Sequence, residues 1–150
     1  MRRVTVYVAS SWRNETQPWV VQCLREEGFE VYDFRHPEAE DYGFHWSMVG
    51  PAWKTWTVEQ YRAAMETDLP TYGFLKDMEG LNRAQVVVLV LPSGRNAHLE
   101  AGYAVGAGKR VVVYMPGAVE PELMYKMCDA ICSSMEELVV SLRELFPCDH

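Results

Sequence analysis

A chain of 150 residues has room for one domain with a real core. Hydrophobic residues make up 49% and charged residues 23%, and the formal net charge is −7. That acidic balance argues against a nucleic-acid polymer or an anionic membrane as partner, because both need broad basic surfaces, but it leaves room for a small anion held by one local arginine.

No apolar run approaches the roughly 18 residues that span a bilayer. The opening Met1-Arg2-Arg3-Val4-Thr5-Val6 has no signal-peptide core. Cys23, Cys128, Cys132 and Cys148 form no CxxC pair and read as buried free thiols of a cytoplasmic protein.

Val4 to Ala9 reads as a strand. Asn14 to Glu27 reads as a helix, with Pro18 in its first turn and Gly28 as its stop. Phe29 to Phe34 is a second strand. An irregular stretch follows, Arg35 to Trp56, rich in Pro, Gly, His and Trp. Thr57-Val58-Glu59-Gln60 has the form of a capping box and opens a helix to Glu66. Pro70 and Gly73 predict an interruption before a helix over Tyr72 to Arg83. Val86 to Leu91 is the third strand, Ala97 to Ala107 a helix, and Arg110 to Met115 the fourth strand. Pro121 to Met127 is a short helical turn, and Asp129 to Cys132 a short fifth strand. Ser133-Ser134-Met135-Glu136-Glu137 caps a last helix to Leu145.

Alternating strands and helices predict an α/β fold: a flavodoxin- or Rossmann-like three-layer sandwich on a five-stranded parallel sheet. The expected strand order is 2-1-3-4-5, in a single domain over 1-150 with an irregular Trp-rich insertion at 35-72. That order puts a switch point between the first and third strands, so Ala9 to Arg13 and Pro92 to Asn96 should flank one crevice. Within it, Ser93, Gly94 and Asn96 offer donors to an anion or a sugar hydroxyl. Glu100 falls in the first turn of the predicted helix, where the dipole favours an ionised carboxylate.

Three segments carry a resemblance: Val6 to Arg13, Asp77 to Val90, and His98 to Pro116. The third is the most specific, with Glu100 followed by Ala101-Gly102-Tyr103-Ala104, a small-residue turn, Gly108-Lys109-Arg110 and an apolar strand. In these segments the chain resembles the nucleoside 2-deoxyribosyltransferase superfamily, including the deoxynucleoside 5'-monophosphate N-glycosidases. The resemblance implies a nucleophile at Glu100, a proton-handling acid at Asp77 and a nucleophile-orienting tyrosine at Tyr7. It implies that Ser11 and Arg13 hold a 5'-phosphate. It also implies a homodimer in which the segment Glu122 to Met127 reaches the partner's site. The monophosphate branch has a serine there, where this chain has Met124.

The chemistry stands beside the resemblance. Breaking an N-glycosidic bond builds positive charge on the sugar and negative charge on the base, and one ionised carboxylate with one proton donor answers both. Asp77, if close to Phe74 and tryptophan side chains, would have a raised pKa and stay protonated. The expected function is N-glycosidic cleavage or transfer on a nucleoside or nucleotide, without cofactor or metal. The alternative is a nucleotide- or NAD-binding sensor resembling TIR domains, since fold alone does not fix activity. His45 and His98 read as loop and helix-surface residues rather than general bases. Trp46, Trp53 and Trp56 read as packing or a dimer seam. Gly102 and Gly106 predict a close contact of their helix, either with the protein's own sheet or with a second copy.

Overall fold

In the computed structural model, which describes residues 3–148, five strands pair in parallel. They are β1 (Thr5–Ala9), β2 (Glu30–Asp33), β3 (Val86–Val90), β4 (Arg110–Tyr114) and β5 (Ala130–Cys132). Their order is β2-β1-β3-β4-β5, as the alternation of elements predicts. Met1 and Arg2, part of the amino-terminal reading, lie outside the described residues.

Buried on both faces, β1, β3 and β4 are nearly continuous apolar runs in which valine is the commonest residue, the pattern of a parallel sheet covered on each side. One core layer sets Val6, Val8, Val86 and Val88 against Val20 and Leu24 of α1 (Gln17–Glu26) and Leu138 and Leu142 of α5 (Met135–Leu145). The opposite layer sets Tyr7, Val87, Leu89 and Val111 against Leu81 of α3 (Asp68–Arg83) and Ala97, Ala101 and Ala104 of α4 (Arg95–Gly106). Among the described residues no helix is long and apolar enough to cross a membrane.

The capping box at Thr57 is present and opens α2 (Val58–Met65). Pro70 does not interrupt. It is the third residue of α3, where a missing N–H costs nothing because no intrahelical acceptor faces that position. Gly73 does not interrupt either. A Cβ there would lie 2.8 Å from Cβ of Phe44, so the glycine lets the irregular segment cross α3 at close range. Only Cys132 of the four thiols is fully buried, Cys148 being exposed, so the expectation of buried thiols holds for one residue.

The tryptophans pack within the chain. Trp46 meets Phe44, Trp56 and Tyr61 edge-on at 4.9, 5.8 and 5.8 Å between ring centroids, and Trp53 meets His45 at 5.4 Å. The segment is anchored to the turn after β1 by Trp12, whose Nε1 donates to the Phe44 carbonyl at 3.0 Å. By contrast, Gly102 and Gly106 meet nothing: a Cβ at either would enter open space. Packing on the protein's own sheet therefore does not explain them.

Candidate active site

β1 and β3 both end at the carboxyl edge of the sheet, and side chains tie the two turns together. Ser10 Oγ donates to the Val90 carbonyl at 2.8 Å. Asn14, expected as the first residue of a helix, instead stands before it as an anchor. Its Oδ1 accepts from the Thr16 and Gln17 amides at 2.8 and 2.9 Å, and its Nδ2 donates to the Pro92 carbonyl at 2.9 Å. Arg35 holds the same loop from the other side. Its Nη2 donates to the Trp12 and Asn14 carbonyls at 2.8 Å, and its guanidinium lies 5.3 Å over the Trp12 ring. Ala9 to Arg13 and Pro92 to Asn96 thus border one crevice.

In the core layer under α3 and α4 stand two tyrosines. Tyr7 of β1 is paired in register with Tyr32 of β2, and their rings stack 5.0 Å apart with planes 10° from parallel. Each hydroxyl carries one carboxylate. Tyr7 donates to Glu100 Oε2, and Tyr32 donates to Asp77 Oδ1 at 2.8 Å. Asp77 reaches Tyr32 because α3 runs unusually close to that ring: a Cβ on Gly80, one turn beyond Asp77, would lie 2.5 Å from Tyr32 Cδ2.

A first expected outcome follows from that approach. Gly80→Ala forces either α3 or the Tyr32 ring to shift, and overpacking of this kind costs about 1–3 kcal/mol. The variant's urea midpoint should fall and its Asp77 should lose its register with Tyr32. An unchanged midpoint would show that the helix has slack at this point.

Burial pushes both acids up. Glu100 rises to about 7: burial is the main cause, the Tyr7 hydrogen bond opposes it, and Asp77 adds to it. Asp77 rises to about 6: burial leads again, the Tyr32 hydrogen bond opposes it, and Asp41 adds to it. Burial, reinforced by these same carboxylates, raises both phenols, so they remain donors throughout the physiological range.

The sequence expectation is right about Asp77 in direction but not in cause, since Phe74 is exposed and buries nothing. For Glu100 it is overturned. α4 starts at Arg95, so Glu100 is its sixth residue, beyond the turn where the dipole acts, and burial dominates. Two coupled acids of this kind hold one proton between them over a window near neutrality, giving one donor and one ionised carboxylate.

No protein-family model matches the sequence, and comparison with curated proteins finds no relative. Solved structures do match. A 2-deoxyribosyltransferase from Bacillus psychrosaccharolyticus aligns over 90% of both chains at 21% identity, with a TM-score of 0.62. A conserved protein from Enterococcus faecalis aligns over 97% of this chain and 100% of its own at 13% identity and TM-score 0.62. A CMP N-glycosidase from Clostridium botulinum aligns over 92% of this chain and 97% of its own at 14% identity and TM-score 0.51. This is the 2-deoxyribosyltransferase fold.

The remaining predicted residues do not join the tyrosine–carboxylate pairs. Ser11 is half-buried in the turn after β1, and Arg13 is exposed, with no salt bridge among the described residues. Ser93 Oγ is buried with no partner among the described residues. Gly94 is the N-cap of α4, and Asn96, its second residue, is exposed.

His98 is more than a helix-surface residue. Its ring bonds the Gly94 carbonyl through Nδ1 at 2.8 Å, so Nδ1 carries the proton. Nε2 then accepts from the Tyr125 hydroxyl at 2.8 Å, with the two rings stacked. That link docks the 3-10 turn Leu123–Met127 beside α4, with Met124 exposed on it. Tyr32, Asn14 and Arg35 are the residues the sequence reading did not single out.

Proposed function

We propose that this protein cleaves or transfers the N-glycosidic bond of a nucleoside or nucleoside 5'-monophosphate through a glycosyl-enzyme intermediate. The observation that carries the reading is the pair of half-buried carboxylates, each held on one of two stacked tyrosines of neighbouring strands. The shared fold with a 2-deoxyribosyltransferase and a CMP N-glycosidase supports it.

Tyr7 holds one oxygen of Glu100, leaving the other for the anomeric carbon. Ionised Glu100 forms an ester bond to that carbon as the bond to the base breaks. Asp77 gives its proton to the departing base. Water or a second base then attacks the anomeric carbon, displaces Glu100 and returns a proton to Asp77. Ser11 and Arg13 take a 5'-phosphate, with Arg13 supplying a planar donor fork. Ser93, Gly94 and Asn96, at the opening of α4, hold sugar or phosphate oxygens.

The assembly in this reading is a homodimer. Leu99, 74% exposed, stands on α4 one turn before Gly102, where Gly102 and Gly106 leave room for a second helix, and Leu123 on the turn Leu123–Met127 is 78% exposed. Met124 lies in the same exposed region and would meet the partner's site. Four free thiols, one of them exposed, suit a reducing compartment such as the cytoplasm.

The test is a panel of nucleosides, nucleoside 5'-monophosphates and NAD, with released base measured by chromatography and the Glu100 adduct sought by mass spectrometry. Absence of released base from every member would end the proposal. The pH dependence is a second expected outcome. Below about 6 both acids are protonated and no nucleophile exists; above about 7 both are ionised and no proton donor remains. Between them the pair holds one proton, which Glu100, the group with the higher value, keeps in the larger share of molecules, so the reactive form with ionised Glu100 and protonated Asp77 is the minor one. The profile of kcat/KM should be bell-shaped with its maximum between those values, its limbs belonging to the pair as a unit. A profile flat from pH 5 to 8 would contradict the assignment.

A further inference from the structure

The irregular segment after β2 and helix α3 enclose a cavity of about 110 Å³ whose wall includes Asp77. It opens into a wider cavity of about 540 Å³ through the shared residues Asp41, Gly43, Met48 and Tyr72. Pro37, Phe44, Met48, Leu69 and Tyr72 give the smaller space apolar and aromatic walls, suited to a flat ring.

Its polar side chains are few, and most are committed. Lys76 is paired with Glu38. Asp77 is held by Tyr32. Asp41 accepts the Gly43 amide at 2.9 Å through Oδ1, and its Oδ2 receives only a long 3.4 Å contact from the Tyr72 hydroxyl. An ionised carboxylate has room for about four hydrogen bonds and donates none. The cavity therefore presents spare acceptors at Asp41, beside a Lys76 ammonium that directs one of its three donors to Glu38.

We infer that this cavity receives the base, and that Asp41 selects a base carrying an exocyclic amino group, as cytosine, adenine and guanine do. The inference rests on the N-glycosidase reading above for the presence of a base beside Asp77. An amino group satisfies Asp41. A keto oxygen in the same place, as in uracil, thymine or hypoxanthine, meets a carboxylate with no donor between them. Loss of a hydrogen bond to a charged group separates such ligands by roughly tenfold to a hundredfold.

The experiment has two arms. In the first, kcat/KM is measured for matched pairs of substrates with cytosine against uracil and adenine against hypoxanthine, in the unaltered protein and in Asp41→Asn. Asparagine keeps an acceptor for the Gly43 amide and adds a donor. The expected result is a preference for the amino member of at least about tenfold that shrinks or reverses in the variant. Equal use of both members, or a preference that Asp41→Asn leaves intact, overturns the inference.

The second arm measures binding of free cytosine and free uracil by titration calorimetry, without turnover. Tighter binding of cytosine, lost in Asp41→Asn, supports the pocket even if no substrate is cleaved, in which case the catalytic reading alone falls. Equal binding of the two bases, or binding of neither, overturns the pocket.

Discussion

Glu100→Gln should reduce base release by a factor on the order of a thousand or more, the scale seen when a nucleophile is removed, while making the protein more stable in alkali. Glutamine cannot form the glycosyl ester, but it still accepts the Tyr7 hydroxyl, so that hydrogen bond survives. Alanine would leave that buried hydroxyl without a partner and mix a folding defect with a chemical one.

The stability effect has a definite sign. The folded value of about 7 lies above the unfolded value of 4.5. Stability associated with protonated Glu100 is complete below about 4.5 and is lost as pH rises through about 7. At pH 8 the unaltered protein therefore carries a penalty on the order of 3 kcal/mol that glutamine lacks. Melting temperatures of the two proteins should coincide near pH 4 and separate by pH 8, with the variant higher. Undiminished turnover would remove Glu100 from the mechanism. A variant less stable at pH 8 would mean the ionised carboxylate supports the fold.

Asp77→Asn should lower turnover by about 10²- to 10⁴-fold, the range of general-acid contributions. The loss should depend on the leaving group. Asparagine still accepts from Tyr32 but has no proton to give. A nucleoside whose base is already cationic, such as one methylated at purine N7, needs no proton to depart. Its cleavage by the variant should stay within about tenfold of the unaltered protein, and the alkaline limb of the pH profile should disappear with ordinary substrates. Equal losses on both kinds of substrate would assign Asp77 to holding the base rather than protonating it.

The sheet order and the crevice were legible because valine runs alternate with helical segments, and both turns that matter follow such runs. Glu100, Asp77 and Tyr7 came from the same segments. Tyr32 did not, although a signal was present: aligning Val6-Tyr7 with Val31-Tyr32 on neighbouring parallel strands sets the tyrosines side by side, as the register bears out. Arg35 and Asn14 act through backbone carbonyls distant in sequence, which no local pattern encodes.

The errors also have physical causes. Pro70 was read as a break because its tolerance depends on where the helix begins, and α3 begins two residues before it. The ionisation of Glu100 was judged from helix position, yet burial against the sheet, a tertiary effect, decides it. Of the two contacts that Gly102 and Gly106 allow, the one with the protein's own sheet is absent, since a Cβ at either enters open space.

The two tyrosines are spaced by the sheet itself. Tyr7 and Tyr32 stand on neighbouring strands, and adjacent strands lie about 4.7–4.9 Å apart in any sheet; their ring spacing is 5.0 Å. A backbone ladder therefore sets the spacing of the two phenols, and the Trp-rich segment could be lengthened, shortened or rewritten for new ligands without changing it.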